Sequence, residues 1–147
     1  MASASILKRF DHVGLAVWSV DNALTIYRDI LGGKVTTYKS IGTTNDYLYT
    51  QFELAGQRIE LIEPVEGKDS FLTKFLKTRG EGMHHLTFQV SDIKNAIEFF
   101  KSTGLKTTDE FYEDPVWKTA FISPRSTTGV LIQIYETYPG SPFDRSH

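Results

Sequence analysis

An internal repeat with an offset of 73 residues constrains the fold of this chain more than any other feature of its sequence. His12 and His85 each begin a segment in which apolar residues alternate with other residues, and they are 73 positions apart. Glu60 and Gln133, near the ends of the two halves, are separated by the same distance. Each half therefore contributes two polar side chains at equivalent positions of a duplicated unit.

Both halves show the same order of predicted elements, which is one strand, one helix and three further strands. Period-two alternation of apolar residues indicates the strands, and apolar residues three and four positions apart indicate the helices. The first helix is predicted from Val20 to Leu31, where Gly32 and Gly33 end it. The predicted strands cover residues 10–17, 34–38, 46–54, 57–63, 85–90, 106–111, 118–123 and 129–135.

The chain is predicted to form one domain over residues 1–147, because 147 residues are too few for two independent hydrophobic cores. Two βαβββ modules are expected at 9–64 and 83–138, followed by a flexible tail at 139–147. The connection at 65–82 is predicted to contain a helix, with Asp69 as its cap and an apolar stripe that includes Leu72 and Leu76.

Composition excludes several classes of function. The net charge is −2 with both signs mixed along the chain, so neither nucleic acid nor an anionic membrane is an expected partner. The absence of cysteine excludes disulfides, thiolate metal sites and a thiol nucleophile. The first nine residues lack a long apolar segment, and no apolar run approaches membrane-spanning length. We predict a cytoplasmic protein that binds a small molecule.

Strand alternation places all four repeated polar residues on one kind of sheet face. The neighbours of His12, Glu60, His85 and Gln133 in each strand are apolar, so an apolar row faces the helices and the polar residues lie on the opposite face. His84 points away from that face and is predicted to be structural. A single strand histidine is more often structural than a ligand, but four residues related by one offset favour a shared site.

These residue types suit one divalent metal ion. Neutral imidazole, carboxylate and amide oxygen are ligands for cobalt, nickel, manganese or zinc, and the sequence does not choose between these ions. On a six-coordinate ion, four protein ligands leave two adjacent positions for water or for two substrate oxygens. An ion bound there would polarise a substrate carbonyl and stabilise the enolate formed by loss of the adjacent proton.

At these positions the sequence resembles the vicinal oxygen chelate superfamily, which includes glyoxalase I, extradiol dioxygenases and bleomycin- and fosfomycin-resistance proteins. Within it, the likeness to the methylmalonyl-CoA epimerases is greatest and covers residues 9–136. The motifs that carry it are FDHVGLAV at 10–17, IELIEP at 59–64, RGEGMHH at 79–85 and SPRSTTGVLI at 123–132.

The resemblance implies an α+β fold in which two paired βαβββ modules form a cupped, eight-stranded mixed sheet, and it implies a homodimer. It assigns His12, Glu60, His85 and Gln133 as metal ligands, and it implies proton transfer at the carbon beside a thioester. One residue departs from the pattern, since these epimerases usually carry Glu, acting as ligand and acid/base, where this chain has Gln133.

An amide cannot accept a proton from carbon at neutral pH, so Glu60 is predicted to be the catalytic base. A second acid or base would have to come from the preceding strand. Tyr49 and Gln51 lie near the expected position, and Glu53 would reach it only with a shifted strand register.

Three functions follow from this pattern. The first is a metal-dependent epimerase or isomerase acting next to a thioester or carbonyl, with an acyl-CoA as substrate. The alternatives are a glyoxalase-type isomerase or lyase on another small chelating substrate, and a non-catalytic binding or resistance protein. A dioxygenase is disfavoured, because its iron site requires a carboxylate at Gln133. Arg125 and Lys118 are candidates for binding a CoA phosphate, although solvated surface charge is the commoner role of such residues.

Overall fold

The computed structural model describes residues 5–145 of the chain. Residues 1–4 of the N-terminal segment and residues 146–147 of the predicted tail lie outside the described residues. No helix within the described residues is long and apolar enough to cross a membrane.

The described residues form the predicted succession of elements, with one helix between the two halves. The strands are β1 (Leu7–Ala16), β2 (Lys34–Ile41), β3 (Tyr47–Leu54), β4 (Gln57–Pro64), β5 (Gly82–Val90), β6 (Thr107–Phe111), β7 (Lys118–Ile122) and β8 (Leu131–Glu136). The helices are α1 (Val20–Tyr27), α2 (Phe71–Arg79) and α3 (Ile93–Ser102), with a short 3-10 helix at Pro124–Ser126.

The strands join in one eight-stranded sheet in the order β2-β3-β4-β1-β5-β8-β7-β6. The β1–β4 and β5–β8 pairs are parallel, whereas the β2–β3, β3–β4, β6–β7 and β7–β8 pairs are antiparallel. The predicted α+β fold class with an eight-stranded mixed sheet is therefore confirmed.

The chain divides into two compact units. The central unit is His12–His84, and the flanking unit consists of the residues before His12 and after His84. The division cuts through β1 and β5, so the beginning of β1 groups with the second half of the sequence. The predicted module boundaries at 9–64, 65–82 and 83–138 stay predictions.

In the central unit, α1 covers one face of the sheet. Its N-cap is Ser19, whose side chain accepts a hydrogen bond from the Asn22 N–H. The core beneath the helix consists of Val17, Val20, Leu24, Phe52 and Leu61.

The predicted end of α1 was wrong, because the helix stops at Tyr27 and not at Leu31. Beyond Tyr27 the backbone N–H groups of Asp29 and Leu31 bond to carbonyls five residues earlier, so the regular α-helical pattern is lost. Ile30 and Leu31 continue the apolar spacing but are exposed. Apolar spacing alone therefore extended the predicted helix by one turn.

The linker helix α2 packs on the other face of the central unit. Ser70, rather than the predicted Asp69, is its N-cap and forms a capping box with Thr73. Buried Leu72 and Leu76 pack against Ala16 and Ile62. Glu60 and Ile62 are two residues apart on β4 and so share a face. The prediction that the candidate residues lie on a face away from the helices was therefore wrong in this unit, because α2 packs on that face.

In the flanking unit, α3 covers one face of the sheet and leaves the face of Gln133 to polar side chains. Ile93, Ala96, Ile97 and Phe100 of α3 form a buried cluster that includes Ile134 of β8. Gln133 alternates with Ile132 and Ile134, so it lies on the opposite face, as predicted.

The segment predicted as a flexible tail makes specific contacts in the flanking unit up to Arg145. Ser141 is buried, and its hydroxyl lies 2.5 Å from that of Thr137. The Tyr135 hydroxyl donates to the Phe143 carbonyl oxygen, and the Arg145 guanidinium pairs with Asp11 at 3.1 Å. The flexibility of residues 139–147 in solution stays a prediction.

Candidate active site

His12 and Glu60 lie close together in the central unit. The parallel pairing of β1 with β4 places Gly14 opposite Glu60. His12 Nε2 lies 3.6 Å from Glu60 Oε1, and the two side chains are 5% and 12% exposed. The predicted neighbours from separate strands are thus an imidazole and a carboxylate in a largely buried position.

Glu60 also has a partner on the adjacent antiparallel strand. Gln51 lies opposite Glu60 on β3, and its Nε2 donates to Glu60 Oε2 at 2.9 Å. The two carboxylate oxygens therefore have different surroundings, with Oε1 near His12 and Oε2 held by an amide.

The other two residues considered on this strand have different neighbours. Glu53 lies opposite Arg58, whose guanidinium is 3.7 Å away, so the strand register is not shifted toward Glu60. Tyr49 lies opposite Ile62 and packs in the cluster beneath α2. Neither residue supplies a second carboxylate beside Glu60.

In the flanking unit, His85 and Gln133 project from neighbouring parallel strands. His85 lies opposite Leu131, and Thr87 lies opposite Gln133. His85 and Thr87 are two residues apart on β5, so they share a face with Gln133. Both β5 side chains are buried.

The side-chain amide of Gln133 is held between two threonines. Its Oε1 accepts a hydrogen bond from Thr87 Oγ1 at 3.0 Å, and its Nε2 donates to Thr119 Oγ1 at 3.3 Å. Sequence reasoning did not identify either threonine. Thr87 was detectable as a polar residue two positions after His85, whereas Thr119 requires the β7–β8 register, which no local pattern specifies.

His84 has a structural environment, as predicted. Its ring lies 5.7 Å from that of Phe71 and 4.8 Å from that of Phe75, both on α2. Burial lowers the pKa of the His84 imidazole to about 4, although the Glu60 charge acts in the opposite direction. The neutral ring therefore packs as an aromatic group.

Lys118 and Arg125, the predicted phosphate-binding residues, lie apart from the face of Gln133. Lys118 shares a β7 face with the core residues Ala120 and Ile122, and its Nζ pairs with Glu136 at 3.5 Å. Arg125 is exposed in the 3-10 helix between β7 and β8. Their role in substrate binding stays a prediction.

The central unit also contains a groove on the α1 side of the sheet. It has a volume of about 640 Å³ and is lined by residues that include Trp18, Ile26 and Met83. Neither His12 nor Glu60 lines this groove. The groove and the candidate catalytic residues therefore occupy different parts of the unit.

Family comparison agrees with the fold and with these residues. Residues 11–121 match the model of the Glyoxalase/Bleomycin resistance protein/Dioxygenase superfamily, and the chain belongs to this superfamily. The resemblance inferred from the sequence motifs is therefore confirmed.

Individual relatives include methylmalonyl-CoA epimerases. The mitochondrial methylmalonyl-CoA epimerase of Mus musculus is 30% identical over 131 residues, which are 87% of this chain and 72% of the relative. The structure of the Mycobacterium tuberculosis methylmalonyl-CoA epimerase has a TM-score of 0.79 at 29% identity and covers 95% of this chain and 94% of its own. The uncharacterized protein YqjC of Bacillus subtilis is 30% identical over 132 residues, 88% of this chain and 93% of the relative.

Proposed function

We propose that this protein is a metal-dependent epimerase or isomerase that removes a proton from the carbon next to a thioester or carbonyl. The proposed substrate class is an acyl-CoA, in line with the relatives that are methylmalonyl-CoA epimerases. His12, Glu60, His85 and Gln133 are the proposed ligands of one divalent ion, and Glu60 is the proposed base.

The spacing of three side chains carries this proposal. One ligand atom from each of His12, Glu60 and His85 lies within 4.8 Å of the other two. Such spacing fits ligands at about 2 Å from a common centre. Two imidazoles, one carboxylate and one amide oxygen form a donor set for a borderline divalent ion such as zinc, cobalt, nickel or manganese.

The four side chains have different chemical roles in this proposal. A bound divalent ion supplies a positive charge that polarises a substrate carbonyl and favours loss of the adjacent proton. Glu60 is the only carboxylate among the four and accepts that proton, whereas Gln133 orients through its oxygen. Gln51 donates to Glu60 Oε2 and so fixes the carboxylate in one orientation.

The single carboxylate also favours a second candidate, a glyoxalase-type isomerase. Epimerisation moves a proton between two faces of a carbon and needs an acid/base group on each side. An isomerase that returns the proton from the same side needs only one such group. Gln51, Glu60 and Gln133 together provide one carboxylate and two amides, which fits the one-base reaction.

Metal analysis of the purified protein tests the site. We expect one divalent ion per chain in the wild type and loss of that ion in His85→Ala. His84→Phe is the matched control, since it removes the neighbouring imidazole but keeps an aromatic ring beside Phe71 and Phe75, and it should keep the ion. Equal metal content in wild type and His85→Ala would contradict the proposed ligand set.

Deuterium exchange tests the chemistry. Incubation with methylmalonyl-CoA in deuterated water should exchange the proton at the carbon beside the thioester, as NMR or mass spectrometry would detect. Exchange together with inversion supports the epimerase. Without exchange of this thioester, conversion of the hemithioacetal of methylglyoxal and glutathione would favour the glyoxalase-type isomerase. A chain that binds metal but acts on neither substrate would contradict both reactions.

A further inference from the structure

The amide of Gln133 lies between hydroxyl groups from two different strands, which we call the threonine clamp (Thr87 and Thr119). Thr87 on β5 donates to Gln133 Oε1, and Thr119 on β7 accepts from Gln133 Nε2. Both threonines are buried, with 0% and 8% of their surface exposed. Their side chains therefore interact with the protein interior rather than with bulk water.

The hydrogen bonds of Thr119 determine which way the amide points. The Thr119 hydroxyl has one proton, and it donates this proton to the Ile134 carbonyl oxygen at 2.9 Å. Toward Gln133 it can offer only a lone pair, so the atom facing it must be an N–H donor. The amide nitrogen is consequently directed toward β7, and the amide oxygen is directed toward β5, the strand of His85.

A carboxylate at position 133 would not fit the same clamp. One carboxylate oxygen would face the lone pair of Thr119, or the Thr119 proton would have to leave the Ile134 carbonyl oxygen. Either arrangement removes a hydrogen bond from a buried region, which is unfavourable. The surroundings of Gln133 thus match an amide and not an ionised carboxylate.

We infer that Thr87 and Thr119 are positioning residues that hold the Gln133 carbonyl oxygen toward the strand of His85 and make position 133 specific for an amide. An amide flip would exchange an oxygen ligand for an NH₂ group, which cannot bind a metal ion. The part of this inference that concerns metal affinity rests on the proposed function, whereas the amide orientation does not.

The equivalent position in the other half lacks this arrangement. Gly14 lies opposite Glu60 as Thr87 lies opposite Gln133, and the two positions are separated by the repeat offset of 73 residues. Glycine has no hydroxyl to donate to the Glu60 carboxylate. The first half therefore retains a carboxylate suited to proton transfer, and the second half holds a fixed amide suited to binding.

Thr119→Val and Thr119→Ser form the first pair of test variants, because valine has the shape of threonine without its hydroxyl and serine keeps the hydroxyl. NMR of metal-free, ¹⁵N-labelled protein follows the Gln133 side-chain NH₂ group, assigned by its disappearance in Gln133→Glu. We expect this signal to lose protection from solvent exchange in Thr119→Val and to keep it in Thr119→Ser. Unchanged protection in Thr119→Val would overturn the inference.

Zinc titration by calorimetry gives the functional readout. Loss of a group that orients a ligand typically weakens metal affinity 10- to 100-fold, so we expect at least about a 10-fold increase in Kd for Thr119→Val and rescue by Thr119→Ser. Unchanged zinc affinity in Thr119→Val would overturn the positioning role. If the wild type binds no zinc while the NMR result holds, the proposed function fails and the amide orientation stands.

Thr87→Val and Thr87→Ser provide an independent pair, so a folding defect in one valine variant leaves the inference testable. Amide specificity has its own test in the thermal midpoint. Gln133→Glu should lower the midpoint more in the wild type than in Thr119→Val, where no lone pair faces the carboxylate. Equal losses in the two backgrounds would contradict specificity for an amide.

Discussion

Glu63 and Glu136 occupy equivalent positions 73 residues apart, and each carboxylate accepts a hydrogen bond from the first backbone N–H of a helix. Glu63 Oε1 accepts from Val20 N at 3.3 Å, and Glu136 Oε1 accepts from Ile93 N at 2.9 Å. Val20 and Ile93 are themselves separated by the same offset. The duplication therefore extends from strand order to the way in which each helix is anchored to a strand end.

Replacing Glu136 with alanine should destabilise the protein. The carboxylate satisfies an N–H that has no partner within α3, and its charge is favourable at the helix N-terminus. Loss of a comparable capping interaction costs about 0.5–2 kcal/mol, so we expect a reduction of about 1 kcal/mol in the free energy of unfolding, measured with urea. Glu136→Gln keeps an acceptor and should lose less. Equal stability of Glu136→Ala and the wild type would contradict this role.

The repeat predicted the fold and the four candidate ligands, because offset and strand alternation are properties of the sequence itself. The pairing of Glu63 with Glu136 has the same offset, yet its role depends on where each helix begins relative to a strand end. The packing of α2 on the face of Glu60 was missed, since the apolar stripe of Leu72 and Leu76 does not state which face it covers. Thr119 was missed because its distance from Gln133 depends on the strand register.

Glu60→Gln should separate metal binding from proton transfer. The amide retains an oxygen that can bind an ion but cannot accept a proton, so some metal should remain while deuterium exchange falls by about 10²- to 10⁴-fold. Glu53→Gln is the matched control, because Glu53 is on the same unit's sheet but pairs with Arg58, and exchange should be unchanged. Full exchange in Glu60→Gln would remove Glu60 from the role of base.

Leu72→Ala should strongly destabilise the protein through the packing of α2. Leu72 is fully buried and contacts the cluster formed with Ala16 and Ile62, so its truncation leaves a cavity on the face of Glu60. Leucine-to-alanine changes at such positions cost about 2–5 kcal/mol, and Leu72→Met, which keeps the volume, should cost less than about 1.5 kcal/mol. Denaturant unfolding measures both. A loss below about 0.5 kcal/mol in Leu72→Ala would show that α2 does not stabilise this face.

Arg125→Ala and Lys118→Ala should differ in their effects. Arg125 is exposed, so a role in binding a CoA phosphate predicts a higher KM for an acyl-CoA with unchanged kcat and little change in stability. Lys118 pairs with Glu136 on the face of Ala120 and Ile122, so its removal should affect stability and leave KM unchanged. Steady-state kinetics with an acyl-CoA and with its truncated pantetheine thioester distinguish the two, because the shorter thioester lacks the nucleotide phosphates and should be insensitive to Arg125→Ala. The same KM increase for both substrates would mean that Arg125 acts on the acyl end, and no increase for either would exclude it from binding.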